Sequence, residues 1–152
     1  MSDPSQIAGP GRVVIRQFRY PEDYPAVYLL WQTAGPGVHP GRSDMPVEIE
    51  KKLARDPDLF LVAEQDGKIV GSVIGGFDGR RGIVYHLAVS AEVRQQGIGA
   101  QLMETVEERL HAKGCIRSYL LVTRDNLNAA QFYQARGWQR MDLDVYGKDL
   151  KD

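Results

Sequence analysis

The stretch from Tyr85 to Ala100 constrains the fold of this chain more than any other part. It reads YHLAVSAEVRQQGIGA, and it joins a β-branched, apolar segment at 83–89 to a helical pattern at 100–112. Between the two lie a charged bend and two glycines, Gly97 and Gly99. Because glycine lacks a Cβ, consecutive amide N–H groups can converge on one point there, and a helix N-terminus adds unpaired N–H donors and roughly half a positive charge. The stretch therefore predicts a strand, an anion-binding turn and a long amphipathic helix in succession.

The rest of the chain predicts an α+β fold of order β-α-α-β-β-β-α-β-α-β(-β), with a central twisted mixed sheet flanked by helices. Its three middle strands form an antiparallel meander, and the crossover after the glycines makes the next strand parallel to the third. The predicted elements are a strand at 13–18, a helix from Pro21 to the loop at 35–41, a helix from Met45 or Pro46 to Asp56, strands at 59–64, 69–77, 83–89 and 115–122, helices at 100–112 and 126–136, and a hairpin or pair of strands at 138–150.

Composition narrows the class of protein. The chain has 152 residues, of which 43% are hydrophobic and 26% charged, which fits one globular domain at 12–152 after a leader at 1–11 that we expect to be disordered. A net charge of −1 gives no reason to expect nucleic acid as a partner. No apolar run approaches the roughly 20 residues of a membrane span, and we expect a cytoplasmic protein. One cysteine, Cys115, and three scattered histidines predict no metal site.

Two motifs carry the chemistry. Arg94, Gly97 and Gly99 match R/Q-x-x-G-x-G/A, and the segment from Asn126 to Tyr133 with Gly137-Trp138 matches N-x-x-A-x-x-[LF]-Y-x-x-x-G-[FYW]. Together they resemble the GNAT superfamily of acyl-CoA-dependent N-acetyltransferases, and the resemblance implies the GNAT fold. The segments at 59–64 and 75–82 are similar to a small bacterial subgroup typified by YpeA.

The resemblance implies roles for individual residues. The strand before the turn would contact the pantetheine arm of coenzyme A, and the turn would wrap its pyrophosphate. Asn126 would hydrogen-bond the arm, and Tyr133 would act as general acid toward the departing thiolate. From the residues alone, helix geometry favours Tyr133 as a core aromatic, Asn126 could also be a helix cap, and Arg94 could be a solvated loop charge. The implied cofactor-binding residues are Leu87, Ala88, Val89, Arg94, Gln95, Gln96, Gly97, Ile98, Gly99, Ala100, Asn126 and Tyr133.

A base for the amine is harder to find in the sequence. Many members of the family carry a glutamate on one of the two parallel strands, whereas this chain has no carboxylate at 83–86 or 119–122. His86, Tyr85 acting through water, and Glu64 on a neighbouring strand are the candidates. Strict alternation along the strand would place Tyr85 and Leu87 on one face and His86 on the other.

The implied activity is acetyl-CoA-dependent N-acetylation of a primary amine on a small molecule, a peptide N-terminus or a lysine. Acetyl-CoA would be the acyl donor, and direct attack by the amine on the thioester would transfer the acetyl group. The polar loop at 35–44 and the flanking helices would select the acceptor through His39, Arg42 and Asp44 as accessible groups, unless these three residues are ordinary surface groups. The missing carboxylate motivates an alternative, a GNAT-fold module that binds or senses acyl-CoA with little turnover. The acceptor, the acyl-chain length and homodimer formation are open at this point.

Overall fold

A computed structural model of the chain describes residues 11–151. Most of the predicted leader, residues 1–10, lies outside that range. Gly11 lies inside it, where its amide N–H donates to Asp66 Oδ2 at 3.1 Å and its carbonyl accepts from Gln65 Nε2 at 2.9 Å.

The described residues contain five strands and four α-helices, which confirms the predicted α+β class. Three single 3₁₀ turns lie in the connections. The elements are β1 Val14–Gln17, α1 Tyr24–Thr33, α2 Pro46–Arg55, β2 Phe60–Gln65, β3 Lys68–Phe77, β4 Gly82–Val89, α3 Ile98–Ala112, β5 Ser118–Leu120 and α4 Ala129–Gln134.

The strands form one sheet in the order β1-β2-β3-β4-β5. Neighbours are antiparallel from β1 to β4, and β5 runs parallel to β4, so the predicted meander and crossover are both confirmed. Each face of the sheet has its own core. On one face α3 packs its apolar stripe, including Leu102 and Val106, against Val73; on the other, Trp31 of α1 and Ile49 of α2 pack against Phe60.

Two glycines of β3 let α3 approach the sheet closely. A Cβ at Gly71 would come within 2.9 Å of Leu102 Cδ1, and one at Gly75 within 2.8 Å of Val106 Cγ2. Both distances are shorter than packed carbon atoms allow. The N-terminal part of α3, which follows the glycine turn, is therefore held directly against the sheet.

Strand β4 contains a bulge that the alternation argument did not anticipate. Ser72 pairs with Ala88 and Ile74 with Tyr85, so Val73 alone lies opposite two residues, His86 and Leu87. His86 takes the left-handed conformation, with φ of 53°. Because a bulge inserts one residue, Tyr85 packs with the α1 and α2 core while Leu87 packs with the α3 core. The expectation that these two side chains share one face is wrong.

The predicted C-terminal hairpin does not form within the described residues. The chain from 138 to 151 contains no strand, and Met141, Leu143 and Val145 are exposed at 40%, 56% and 67%. The expectation of strands there is wrong because alternation only makes a segment suitable for a sheet edge. A partner edge is also needed, and β5 offers just Ser118–Leu120. β5 and α4 are likewise shorter than predicted.

A partly buried ion pair ties β1 to the start of α1. Arg16 donates to Asp23 through Nη1 at 2.7 Å and Nη2 at 3.0 Å, and its Nε donates to Glu64 Oε2 at 2.8 Å. Burial opposes ionisation of Asp23, but the hydrogen bonds from Arg16 and from the Arg19 amide outweigh it and lower the pKa of Asp23. The ionised Asp23 therefore depends on Arg16 to compensate its burial.

Arg16→Met is expected to lower the free energy of unfolding by about 2–3 kcal/mol at pH 7, because it leaves a buried carboxylate without its partner. The folded-state pKa of Asp23 is depressed, so this stabilisation is present above about pH 4 and is lost as the pH falls through the folded value. Urea unfolding at pH 7 and at successively lower pH measures the shrinking difference. The exposed Arg140→Met is the control, with an expected change within about 0.5 kcal/mol; a difference for Arg16→Met that grows on acidification would contradict the account.

Candidate active site

The glycine turn presents a run of amide groups that the protein does not use. Gln95 and Gly97 are both left-handed, with φ of 68° and 78°, and alternation of backbone conformations turns successive N–H groups toward one side. Gly97 is the N-cap of α3 with no side-chain cap, and its carbonyl accepts from the Gln101 amide at 3.1 Å. Within residues 11–151 no acceptor takes the amide hydrogens of 95–100. Such a run of free N–H donors at a helix N-terminus is suited to a phosphate or pyrophosphate.

The helix begins two residues earlier than predicted, so Ile98 and Gly99 lie in its first turn with Ala100. Ile98 is buried in the α3 core. A Cβ at Gly99 would meet Phe132 Cζ at 3.3 Å and Val89 Cγ2 at 3.7 Å, whereas one at Gly97 meets nothing within 4 Å. Gly99 therefore admits the close packing of α4, and Gly97 faces open space.

Side chains of the turn anchor it to the rest of the molecule. Arg94 Nη2 donates to the Ala34 carbonyl at the end of α1, and Gln96 Oε1 accepts from Gln65 Nε2 at 3.2 Å. These contacts fix the position of the turn and leave its backbone amides free to bind a ligand.

Strands β4 and β5 separate beside this turn. They pair only between Gly82–Val84 and Ser118–Leu120, after which β4 continues to Val89 paired with β3 but not with β5. The stretch with Leu87, Ala88 and Val89 thus lines a gap at the carboxyl ends of two parallel strands. Open sheets commonly bind ligands at such ends.

Tyr133 lies on α4, and Asn126 lies in the loop that precedes this helix. Tyr133 of α4 is 9% exposed, and burial alone raises its pKa to about 12. Asn128, not Asn126, holds the N-cap position of α4. The side chain of Asn126 instead lies against the loop after α1, since a Cβ at Gly37 would come within 2.6 Å of its Nδ2.

The structure brings a carboxylate to His86 from a distant part of the chain. Asp44 Oδ1 lies 2.9 Å from His86 Nε2, and Asp44 Oδ2 accepts from the Gly41 amide at 2.9 Å. The Asp44 carbonyl also accepts from the Tyr24 hydroxyl at 2.8 Å. Asp44 is 3% exposed, so the expectation that it is an accessible loop group is wrong. The 3₁₀ turn Arg42–Asp44 folds it inward beneath β4.

Sequence reasoning identified Asp44 as a polar loop residue but missed its contact. Its position just before Pro46, where α2 begins, indicates a local structural role, and nothing local points to His86.

The other two candidates for the base, Tyr85 and Glu64, are less suited to accept a proton from the amine. Burial, followed by the charges of Asp44 and Asp56, raises the pKa of Tyr85 to about 12. Glu64 lies on β2, beyond β3, and pairs with Arg16 at 2.8 Å.

A cavity of about 330 Å³ opens between α2 and the sheet, and both Tyr85 and Asp44 line it. It lies beside the Asp44–His86 pair on the face opposite α3.

Within the described chain no helix is long and apolar enough to cross a membrane. Nor does any cluster of three metal-ligating side chains occur between residues 11 and 151.

Comparisons with known proteins agree on one family. The model of the acetyltransferase (GNAT) family matches residues 24–138. An acetyltransferase of Pectobacterium atrosepticum is 42% identical over 136 residues, which is 90% of this chain and 94% of the relative. Among solved structures, Ard1 from Thermoplasma volcanium superposes with a TM-score of 0.74 at 24% identity, covering 86% of this chain and 84% of that one. An aminoglycoside N-acetyltransferase crystallised with CoA has a TM-score of 0.70 at 19% identity, with 94% and 97% covered.

Proposed function

The chain belongs to the GNAT family of acetyltransferases, and from that membership we propose that it transfers the acetyl group of acetyl-CoA to a primary amine. Acetyl-CoA as donor is supported by the family and by the CoA bound to the structurally similar aminoglycoside N-acetyltransferase. An amine as acceptor is the finer part of the proposal. It covers amines of small molecules, peptide N-termini and lysine side chains.

The observation that carries the proposal is the row of unpaired amides at 95–100 next to the gap between β4 and β5. A pyrophosphate held on these N–H groups, at the positive end of α3, would direct the rest of coenzyme A along β4. Leu87, Ala88 and Val89 would contact the pantetheine arm with backbone groups, and Asn126 would bind it from the other side. The thioester would then lie within reach of Tyr133.

The reaction needs three actions from the protein. A backbone N–H of Leu87 or Val89 would polarise the thioester carbonyl and stabilise the oxyanion of the tetrahedral intermediate. The hydroxyl of Tyr133 would donate its hydrogen to the departing sulfur. Because the pKa of Tyr133 is raised to about 12, the phenol keeps its hydrogen throughout the neutral and mildly basic range. The third action is removal of a proton from the amine.

The alternative of a module that binds acyl-CoA with little turnover is no longer favoured. It rested on the missing carboxylate beside the reaction centre, and Asp44 now lies against His86 on β4. The curated relatives are also named acetyltransferases. Turnover is therefore the favoured reading.

We expect the purified protein to bind acetyl-CoA and to release free thiol only when an amine is present. Calorimetry measures the binding, and a chromogenic disulfide measures thiol release over a panel of a peptide N-terminus, a lysine derivative, a polyamine and an aminoglycoside. Mass spectrometry should find the acetylated amine in equal amount. Tight binding without amine-dependent thiol release on any member would favour the module instead, and absence of binding would refute both.

A further inference from the structure

We propose that His86 takes the proton from the acceptor amine and that Asp44 is the residue that positions His86 to do so. The inference rests on the proposed acetyl transfer and names the base that this reaction requires. It is carried by the contact between the two side chains, by the strained backbone at His86 and by the cavity beside them.

The chemistry of Asp44 determines the tautomer of His86. An ionised carboxylate only accepts hydrogen bonds, so the Nε2 atom that lies 2.9 Å from Asp44 Oδ1 must carry the hydrogen. Nδ1 then holds the lone pair, and no other described residue bonds to the ring. The His86 side chain is 20% exposed, against 5% for Asp44. The nitrogen able to accept a proton therefore belongs to the more accessible member of the pair.

The backbone holds His86 in an unfavourable conformation. A left-handed histidine in a strand is strained, and such strain clusters at functional sites. The bulge turns the ring out of the register of β4 and toward Asp44. The edge of the Trp31 ring packs on it with centroids 4.9 Å apart, while Trp31 Nε1 donates to the buried Ser72 Oγ at 2.9 Å. Packing and hydrogen bonds thus fix the ring against the carboxylate.

Along β4, His86 lies between a residue that lines the cavity and the residues proposed to bind the cofactor. His86 follows Tyr85, which lines the 330 Å³ cavity, and precedes Leu87, where the proposed cofactor contacts begin. Asp44 lines the same cavity. An amine in this cavity would lie next to Asp44, the residue that holds the imidazole of His86.

The remaining ionisable groups on the cavity wall come from α2, and they are poorly placed to serve as the base. Glu48 pairs with Lys51 at 2.8 Å. Burial lowers the pKa of Lys52, but its ammonium donates to Asp56 at 3.2 Å and to the Gly75 carbonyl. Lys52 thus acts as a bound donor and offers no lone pair.

The step moves protons between the amine, His86 and Tyr133. The acceptor ammonium gives one proton to His86 Nδ1, and the imidazolium is stabilised by the Asp44 carboxylate. The neutral amine forms the C–N bond at the thioester carbon, the C–S bond breaks, and the sulfur leaves with the hydrogen of Tyr133. The new amide nitrogen loses its second proton, which returns to the Tyr133 oxygen, and His86 releases its proton to water.

Two amines that differ in basicity test the proposal. Butylamine is largely protonated at pH 7, whereas its isostere propoxyamine, with oxygen in place of one CH₂, is largely neutral and needs no base. For His86→Gln we expect kcat/KM to fall by about 10²- to 10³-fold with butylamine and by less than about fivefold with propoxyamine. Asp44→Asn should lose about 10-fold with butylamine, show the same dependence on the amine, and add little to His86→Gln in the double variant because the two residues act as a unit. Asp44→Glu should recover part of the activity.

Acetyl-CoA affinity and the thermal midpoint of each variant are the controls. Equal losses with both amines would mean a structural role and would overturn the assignment, while the proposed function would stand. If neither variant folds, the pH profile of the wild type decides. After correction for protonation of the amine itself, kcat/KM should fall on acidification with butylamine but not with propoxyamine. Equal corrected profiles for the two amines would overturn the assignment. Wild-type protein that releases no thiol with any amine would instead refute the proposed function.

Discussion

Replacing Tyr133 with phenylalanine is expected to slow acetyl transfer by about 10²- to 10⁴-fold, the usual loss when a general acid is removed. The reason is local: the change deletes one oxygen and keeps the ring that α4 buries in the α3 core. The departing sulfur would then leave as an unassisted thiolate. Acetyl-CoA affinity should stay within about twofold, because the contacts assigned to the pyrophosphate and the arm do not involve the phenol. Steady-state kinetics and calorimetry measure the two quantities separately.

The matched control for this experiment is Tyr119→Phe. Tyr119 is a half-buried tyrosine of β5 whose ring lies near Arg81 and Arg117, so the same atom is removed away from the reaction. It should keep nearly full activity. Since burial raises the pKa of Tyr133 to about 12, the wild type should also show no loss of activity from Tyr133 ionisation up to about pH 10. Full turnover by Tyr133→Phe would remove the residue from the mechanism.

Replacing Gly97 with valine is expected to weaken acetyl-CoA binding by about 10- to 100-fold. Gly97 has φ of 78°, a conformation that a β-branched residue avoids, so valine should pull the turn out of its present shape. Each charge-assisted hydrogen bond lost from the amide row is worth about 1.5–3 kcal/mol, and 1.4 kcal/mol is about tenfold in affinity. Calorimetric titration with acetyl-CoA measures the loss.

Gly114→Val is the control that separates a loss of cofactor affinity from a loss of stability through backbone strain. Gly114 follows the C-terminal end of α3 and has φ of 92°. As at Gly97, a Cβ at this position would meet no atom within 4 Å. Both variants should lose about 1–3 kcal/mol of stability through the same strain, but only Gly97→Val should lose affinity for acetyl-CoA. Equal affinities in the two variants would show that the turn is merely structural.

The family could be identified and a cofactor site could be proposed from the sequence because their determinants are local. The paired motifs at 94–99 and 126–138 and the periodicities of β2 to α3 depend on residues close together in the chain. The predicted hairpin at 138–150 failed for the converse reason, since its formation depends on an edge that β5 does not extend. Gly99 also acquired its packing role only when α4 brought Phe132 against it.

The sequence by itself determined the order of the elements, the glycine turn and the place of Tyr133 on a helix, because backbone propensity and side-chain period act over a few residues. Only the tertiary structure decided which groups surround the turn and the strand that leads into it. The bulge at His86 depends on the register between β3 and β4, and the Asp44 carboxylate reaches the imidazole from 42 residues away. Such a contact exists only after the sheet and the loop before α2 have packed together. The stretch from Tyr85 to Ala100 therefore contains most of the proposed contacts to acetyl-CoA, whereas the fold supplies the partner of His86.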